Sequence, residues 1–459
     1  MDPSSIQAER AECSQKVEQF KDESPYCLRC GFILSEEHVP VIRHFGLQLM
    51  EHFVKYRWRS LSLDDGREFQ LNLLQFLSNK LLPYDQEPTF VKEALARVTV
   101  ETAKKMWPQR WDSFITDLGT VSKCGSTQVE LVLLIFCRLA EDIHGYESGM
   151  TSGRKREMAA ALNQQSQTVF TFLISNLESP LSEPLCQTAL STIVSFVEWV
   201  EFPTLLMEDA KLIKLLYNLI GVEELKTVAC ECLLPILSRK GDVRKTEGDR
   251  TTILSFLLST EALNGIMAAS ILANSQGVVE EQYVFLKRVC QVLVHLGTSQ
   301  LALLWTYSLT FKPPEALELY LQVVAEFTKH DSQLLSLTSA DVWITFLSHN
   351  HLKDHPVFKD HLTHLLTIAR QKLLKVGDPD VYDHVSSEYS RLDFDGADDF
   401  MLFFATLTCK CTLHISEALT VTEQMVQKKL EPGQEWEGLV AFLECWTGTL
   451  RSNAELLKW

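Results

Sequence analysis

Apolar positions recur at helical spacing from one end of this chain to the other, and no stretch alternates as a half-buried strand would. In residues 39–59 (VPVIRHFGLQLMEHFVKYRWR), Ile42, Phe45, Leu49, Phe53 and Tyr56 form one stripe of a helical wheel. Leu47, Met50, Val54 and Trp58 form a second beside it. Together the stripes cover an arc of about 220°, wider than the single stripe of a surface helix. A helix of this kind is wedged between neighbours and keeps only a narrow polar face, here His44, Gln48, Glu51, His52 and Lys55. Residues 90–106 repeat the construction with Glu93, Arg97, Glu101 and Lys104 on the polar side. Residues 128–146 repeat it with Glu130, Arg138, Glu141 and Asp142.

Successive helices of this type start about 40 residues apart, the period of HEAT-type helix pairs. The pattern continues through 158–177, 185–200, 210–219, 225–238, 251–273, 280–296, 314–328, 339–348, 360–375, 398–413 and 435–450. Prolines at 83, 88, 108, 180, 184, 203, 313 and 314 fall near their ends, where helices start and stop. The fold class expected is all-α: one continuous α-solenoid superhelix of HEAT-like antiparallel helix pairs. Two connections stand out. Residues 239–250 (RKGDVRKTEGDR) lean basic, and residues 378–399 hold eight acids against Arg391. Long loops on a rigid array are frequent partner-binding elements.

Composition narrows the function. A formal charge of −17 disfavours a surface given over to nucleic acid, yet leaves room for a local basic strip. An acidic scaffold suits basic protein partners. The twelve cysteines follow no dense framework, and the polar N-terminus does not read as a signal peptide. Free thiols in the reducing cytosol or nucleus are therefore expected. The longest apolar runs end well short of a membrane span, so no membrane insertion is expected.

Candidate chemistry is thin. Cys27 and Cys30 are spaced as metal ligands, with His38 and His44 near in sequence, but no second pair completes a tetrahedral site. They read as ordinary helix-end cysteines. His349, His351, His355, His361 and His364 crowd together without the carboxylate a catalytic metal would need, and Asp393–Asp398 departs from the order of a calcium loop. No phosphate loop, nucleophile elbow or kinase motif occurs. Trp107 and Trp111, four apart across Pro108, read as a packing pair that locks adjacent helices. No catalytic residue, metal or cofactor is expected, and the protein is not expected to be an enzyme.

Five blocks carry a resemblance: 42–58 (IRHFGLQLMEHFVKYRW), 105–118 (KMWPQRWDSFITDL), 130–143 (ELVLLIFCRLAEDI), 282–297 (QYVFLKRVCQVLVHLG) and 388–404 (EYSRLDFDGADDFMLFF). They resemble the importin-β superfamily of nuclear transport receptors and, within it, the exportins. The first two blocks mark exportin-like N-terminal domains generally. The last two resemble the branch that carries structured RNA. The resemblance implies that residues 1–150 bind the GTPase Ran in its GTP form through the polar faces named above. The candidates are His44, Gln48, Glu51, His52 and Lys55, then Glu93, Arg97, Glu101 and Lys104, then Glu130, Glu141 and Asp142. Residues 151–459 would continue the repeats. It further implies a hairpin RNA cargo of the pre-microRNA kind, nucleoporin contacts and shuttling between nucleus and cytoplasm. Lys240, Arg244, Lys245, Arg250, Lys287 and Arg288 are the basic groups placed to assist with RNA. Family members are more than twice as long, so the chain reads as an N-terminal portion. A HEAT scaffold without nucleotide-state dependence is the alternative.

Overall fold

The structure, a computed structural model, describes residues 7–145, 149–178, 183–308, 311–353 and 355–376, and among these every regular element is helical. The acidic segment 378–399 and the helices expected at 398–413 and 435–450 lie outside the described residues. The chain divides into two compact units, Met1–Thr204 and Leu205–Trp459.

The first unit contains α1 (Gln7–Glu23), α2 (Cys27–Ser35), α3 (Pro40–His52), α4 (Leu63–Asn79), α5 (Thr89–Met106), α6 (Phe114–Val121), α7 (Ser126–His144), α8 (Ser152–Gln164), α9 (Ser166–Glu178) and α10 (Glu183–Val197). Helices α3, α5, α7 and α10 pack side by side as one row, and α2, α4, α6 and α9 back them as the other. This is the two-layer arrangement of HEAT pairs. The inner-row helices are apolar over most of their circumference because other helices cover them on more than one side, as α3 and α7 cover α5. In α5, thirteen of eighteen residues are buried for that reason.

Local chemistry sets the boundaries. Pro40 opens α3, where its missing N–H costs nothing. Ser62 and Asp65 form a reciprocal capping box at the start of α4. Gly31 and Gly46 bring α2 and α3 together: a β-carbon on Gly46 would lie 2.5 Å from the Ser35 nitrogen and 2.7 Å from the Gly31 oxygen. The WPxxW stretch is the turn from α5 to α6. Trp107 and Trp111 are 0% and 1% exposed, both pack on Phe114, and the Trp111 indole donates to Asp117 at 2.8 Å. The expected locking role holds.

The one-turn α11 (Phe202–Leu205) spans the junction of the units. The second unit then contains α12 (Met207–Ile220), α13 (Lys226–Leu237), α14 (Glu247–Leu257), α15 (Thr260–Ser275), α16 (Glu280–His295), α17 (Ala302–Tyr307), α18 (Leu317–Lys329), α19 (Gln333–Ser348) and α20 (Pro356–Val376). It repeats the construction with α13, α16 and α19 in one row and α12, α15 and α18 behind them. A π turn, Leu296–Leu301, joins α16 to α17. The resulting stretch Glu280–Tyr307 is, among the described residues, the one helix long and apolar enough to cross a membrane. Its most apolar window is 61% buried between helices of the same unit, as a core helix is.

Several expectations change. The helix expected at 158–177 breaks at Gln165, and that expected at 251–273 breaks before Ser259, whose hydroxyl caps α15. Helices α1, α2 and α4 were not anticipated. The mean hydropathy of α1 is low and its faces are weakly contrasted, so packing rather than pattern places it. Ile42 and Tyr56, assigned to the buried stripe, are 38% and 73% exposed. A π turn at Phe53–Arg57 ends α3 and rotates Tyr56 off that stripe.

Candidate partner-binding surface

The polar edges of α3, α5 and α7 lie next to one another because their parent helices are neighbours in the inner row. They form a charge ladder. Glu51 pairs along its own helix with Lys55 at 2.6 Å and across to Arg97 at 3.2 Å. Lys55 reaches Glu101 at 3.8 Å, and Glu101 accepts from Lys104 at 2.7 Å. Lys104 crosses to Asp142 at 2.6 Å, and Arg138 closes on Asp142 at 3.2 Å and Glu141 at 3.9 Å. Signs alternate along the whole run, so each rung neutralises its neighbours and ties one repeat to the next.

The ladder changes the picture of the candidate residues. Glu101, Lys104, Glu130 and Asp142 are 8%, 8%, 7% and 7% exposed, enclosed between helices. Lys92, unremarked in the sequence, ion-pairs with Glu130 between α5 and α7 and sits 5.0 Å over the Tyr84 ring. His44, Glu51, His52, Lys55 and Arg97 are half-buried, and His52 contacts Asp22 of α1 at 2.9 Å. Gln48, Glu93 and Glu141 remain exposed. Beside them, Val41 and Phe90 are 70% and 42% exposed, and Phe90 packs edge-on to His44. The accessible edge is thus part apolar and part polar, bordered by a buried charge network.

Burial alone would push the Glu51 carboxyl up, but the Lys55 hydrogen bond and charge, together with Arg97, outweigh it and hold it below its ordinary value. Lys55 is likewise depressed by burial and raised further by Glu51 and Glu101, for a net rise. Both stay charged near neutrality. Breaking one member of an enclosed pair strands the other without solvent, which costs about 3–5 kcal/mol. The network therefore fixes the repeats while offering a partner already-oriented charges.

Of the basic candidates, Lys240, Arg244 and Lys245 are exposed, and Lys240 and Arg244 help line a cleft of about 650 Å³ between Gly241 and Tyr307. Lys287 lies over the Tyr283 ring at 4.6 Å, and Arg288 pairs with Glu231 at 3.0 Å. Arg250 is a correction. It is 0% exposed and donates to Gln300 at 2.8 Å, Thr246 at 2.9 Å and the Arg239 and Lys240 carbonyls at 2.9 and 3.1 Å. Its guanidinium staples the 239–250 loop to the π turn and cannot meet a phosphate without abandoning those partners.

Cys27 is 0% exposed in a cluster with Leu49 and Phe53, its thiol 3.8 Å from the Leu49 carbonyl and pushed up by burial. His349 contacts Thr306 at 2.7 Å, while His355 lies edge-on to Trp305 and His361 tilts against Trp343. These histidines serve packing. The sequence reading also passed over Arg43, which is 3% exposed and grips both oxygens of Glu87 at 2.7 and 2.9 Å. A lone arginine inside an apolar face was the available signal.

Comparison with known proteins agrees with this architecture. Family models match as the Importin-beta N-terminal domain over residues 14–79, Exportin 1-like protein over 88–233 and the Exportin-5 family over 280–415. Exportin-5 of Homo sapiens is 35% identical over 423 residues, covering 88% of this chain and 35% of that protein. Exportin-5 of Dictyostelium discoideum is 29% identical over 427 residues, covering 88% and 36%. HASTY 1 of Arabidopsis thaliana is 23% identical over 335 residues, covering 69% and 27%. The chain spans about a third of the length of the curated relatives it matches. Those three consecutive matches, laid over an all-α array of HEAT-like pairs, place the chain in the exportin-5 family of the importin-β superfamily.

Proposed function

We propose that the chain is part of a nuclear export receptor and that its first three inner helices, within residues 1–150, dock the GTPase Ran in its GTP form. The observation that carries this reading is the edge of α3, α5 and α7, where exposed Val41, Gln48, Phe90, Glu93 and Glu141 border a pre-paired charge ladder. Charges held in place by their neighbours lose little freedom on binding, and they reward a matching partner more than they raise affinity in general. Selectivity for one nucleotide state would come from such matching. No step requires bond-making chemistry, so the work is done by linkage. A GTPase and a cargo that favour the same arrangement of repeats each tighten the other, and loss of one releases the other. This implies shuttling between nucleus and cytoplasm. The cargo proposed is structured RNA held through its phosphates, with Lys240, Arg244 and Lys245 as exposed contributors and the half-buried Lys287 and Arg288 of α16 as further candidates.

The test is binding of the chain to Ran loaded with a non-hydrolysable GTP analogue, against the GDP form. Selective binding is expected, weakened about tenfold by Glu93→Arg together with Gln48→Ala, since two rim contacts of this kind are worth about 1–2 kcal/mol. Equal affinity for both nucleotide states, with the protein folded, would leave a HEAT scaffold without a transport cycle.

A further inference from the structure

The C-terminal ends of α3 and α5 enclose a cleft of about 650 Å³ whose charge is of one sign. Lys55, Arg59, Lys104, Lys105 and Arg110 line it, with Tyr56, Trp58 and Gln109, and no carboxylate does. Lys55 and Lys104 have acidic partners in the ladder. The other three differ. Among the described residues Arg59, Lys105 and Arg110 make no ion pair, and Lys105 donates only to the Lys55 carbonyl, at 3.2 Å. This concentration of unneutralised cations stands out in a chain of net charge −17.

We infer that this cleft is a binding site for a small polyphosphate, a molecule carrying at least two clustered phosphate groups. Arg59 and Arg110 are both exposed, and guanidinium forks match phosphate oxygens two at a time. The volume falls within the range of small-ligand sites, about 300–1,000 Å³. Tyr56, 73% exposed, offers a ring face at the rim for any planar or apolar portion of the ligand. Compactness favours phosphate over a run of carboxylates. An extended acidic peptide spaces its charges about 3.3–3.6 Å apart per residue, alternately on opposite faces, and delivers few of them to one cleft. A bound anion would also relieve Lys105, whose charged form is disfavoured by burial, favoured by nearby Glu101, and disfavoured again by Lys104 and Arg59, for a net lowering.

The inference does not depend on Ran and is tested without it. Sodium tripolyphosphate is titrated calorimetrically into the whole chain at constant ionic strength. Saturable one-to-one binding is expected, weakened about tenfold by Arg59→Ala and again by Arg110→Ala, the loss expected for one charge-assisted contact each. Both side chains are exposed, so the variants should keep the parent melting temperature. Lys123→Ala, an exposed lysine outside the cleft, should bind as the parent does. Absence of saturable binding would overturn the assignment, as would binding indifferent to both arginines. An octaglutamate peptide or a single-stranded RNA without terminal phosphates that displaces tripolyphosphate at lower concentration would overturn it in favour of an acidic protein or a nucleic acid.

Discussion

A charged residue in this protein takes its meaning from what lies across the helix gap. Glu51, an ordinary polar-face residue in the sequence, is the joint between α3 and α5, because Arg97 reaches it from 46 positions away. Its carboxyl is held below the ordinary value of 4.5, and its partner Lys55 above 10.5. Stability from a depressed acid is present above its unfolded value and lost as pH falls through the folded one. Stability from a raised lysine is present below its unfolded value and lost as pH rises through the folded one. Glu51→Gln should therefore lower the melting temperature by a constant amount at neutral pH. That gap should close as pH falls through and below the 4–5 region and again above the 10–11 region. Thermal melts of both proteins across pH measure it, and a gap that does not change with pH would mean that the charge of Glu51 adds no stability. Such pairings were not legible beforehand. Periodicity marks a polar face, but not which of its charges lies opposite another one repeat later, as Lys104 and Asp142 do.

At the scale of the element, helix existence was legible wherever an apolar arc was wide, and α5, α7 and α16 lie within a few residues of their expected bounds. The miss at α1 has a physical reason: a polar, weakly amphipathic segment gives no period to read. The break inside 251–273 was hidden because apolar residues resume within four positions of Leu258, and that inside 158–177 because the polar run 163–168 contains no proline or glycine to mark a turn. Close approach is equally silent in the pattern. The Gly31–Gly46 crossing lets α2 rest on α3 without intervening side chains, and it supports Cys27 and Leu49 beneath the ladder. Gly46→Ala should destabilise the first unit by about 1–3 kcal/mol, as overpacking of a tight core does. Calorimetric unfolding checks this, and an unchanged melting temperature would show that the crossing relaxes without cost.

For the whole molecule, the all-α class and HEAT pairing were legible in the sequence because the inner helices repeat one requirement, burial on more than one side. Where the two proposed sites lie was legible only in part. The inner edge of α3, α5 and α7 emerged from the wheel, while the basic cleft did not, since its cations come from the ends of two helices and the turn after α5. Arg250 shows the opposite error: a cation counted toward a partner spends its charge on its own chain. Two variants separate these roles. Arg250→Ala should cost about 3 kcal/mol of stability by leaving enclosed acceptors unpartnered. Arg244→Ala with Lys245→Ala should leave the melting temperature unchanged and lower affinity for hairpin RNA. If the double variant melted early while Arg250→Ala did not, the assignments would have to be exchanged.

The two π turns, Phe53–Arg57 and Leu296–Leu301, both follow inner-row helices. Each holds about one residue more than an α turn would, a residue that in an unbroken α-helix would rotate everything downstream by about 100°. The second places Gln300 where it accepts from Arg250 and donates to the Leu237 carbonyl. In evolutionary terms such a turn is how a helix absorbs a one-residue insertion without losing its place in the row. Aligned relatives should accordingly show single-residue gaps gathered at these two sites, with neighbouring helices keeping an unbroken frame.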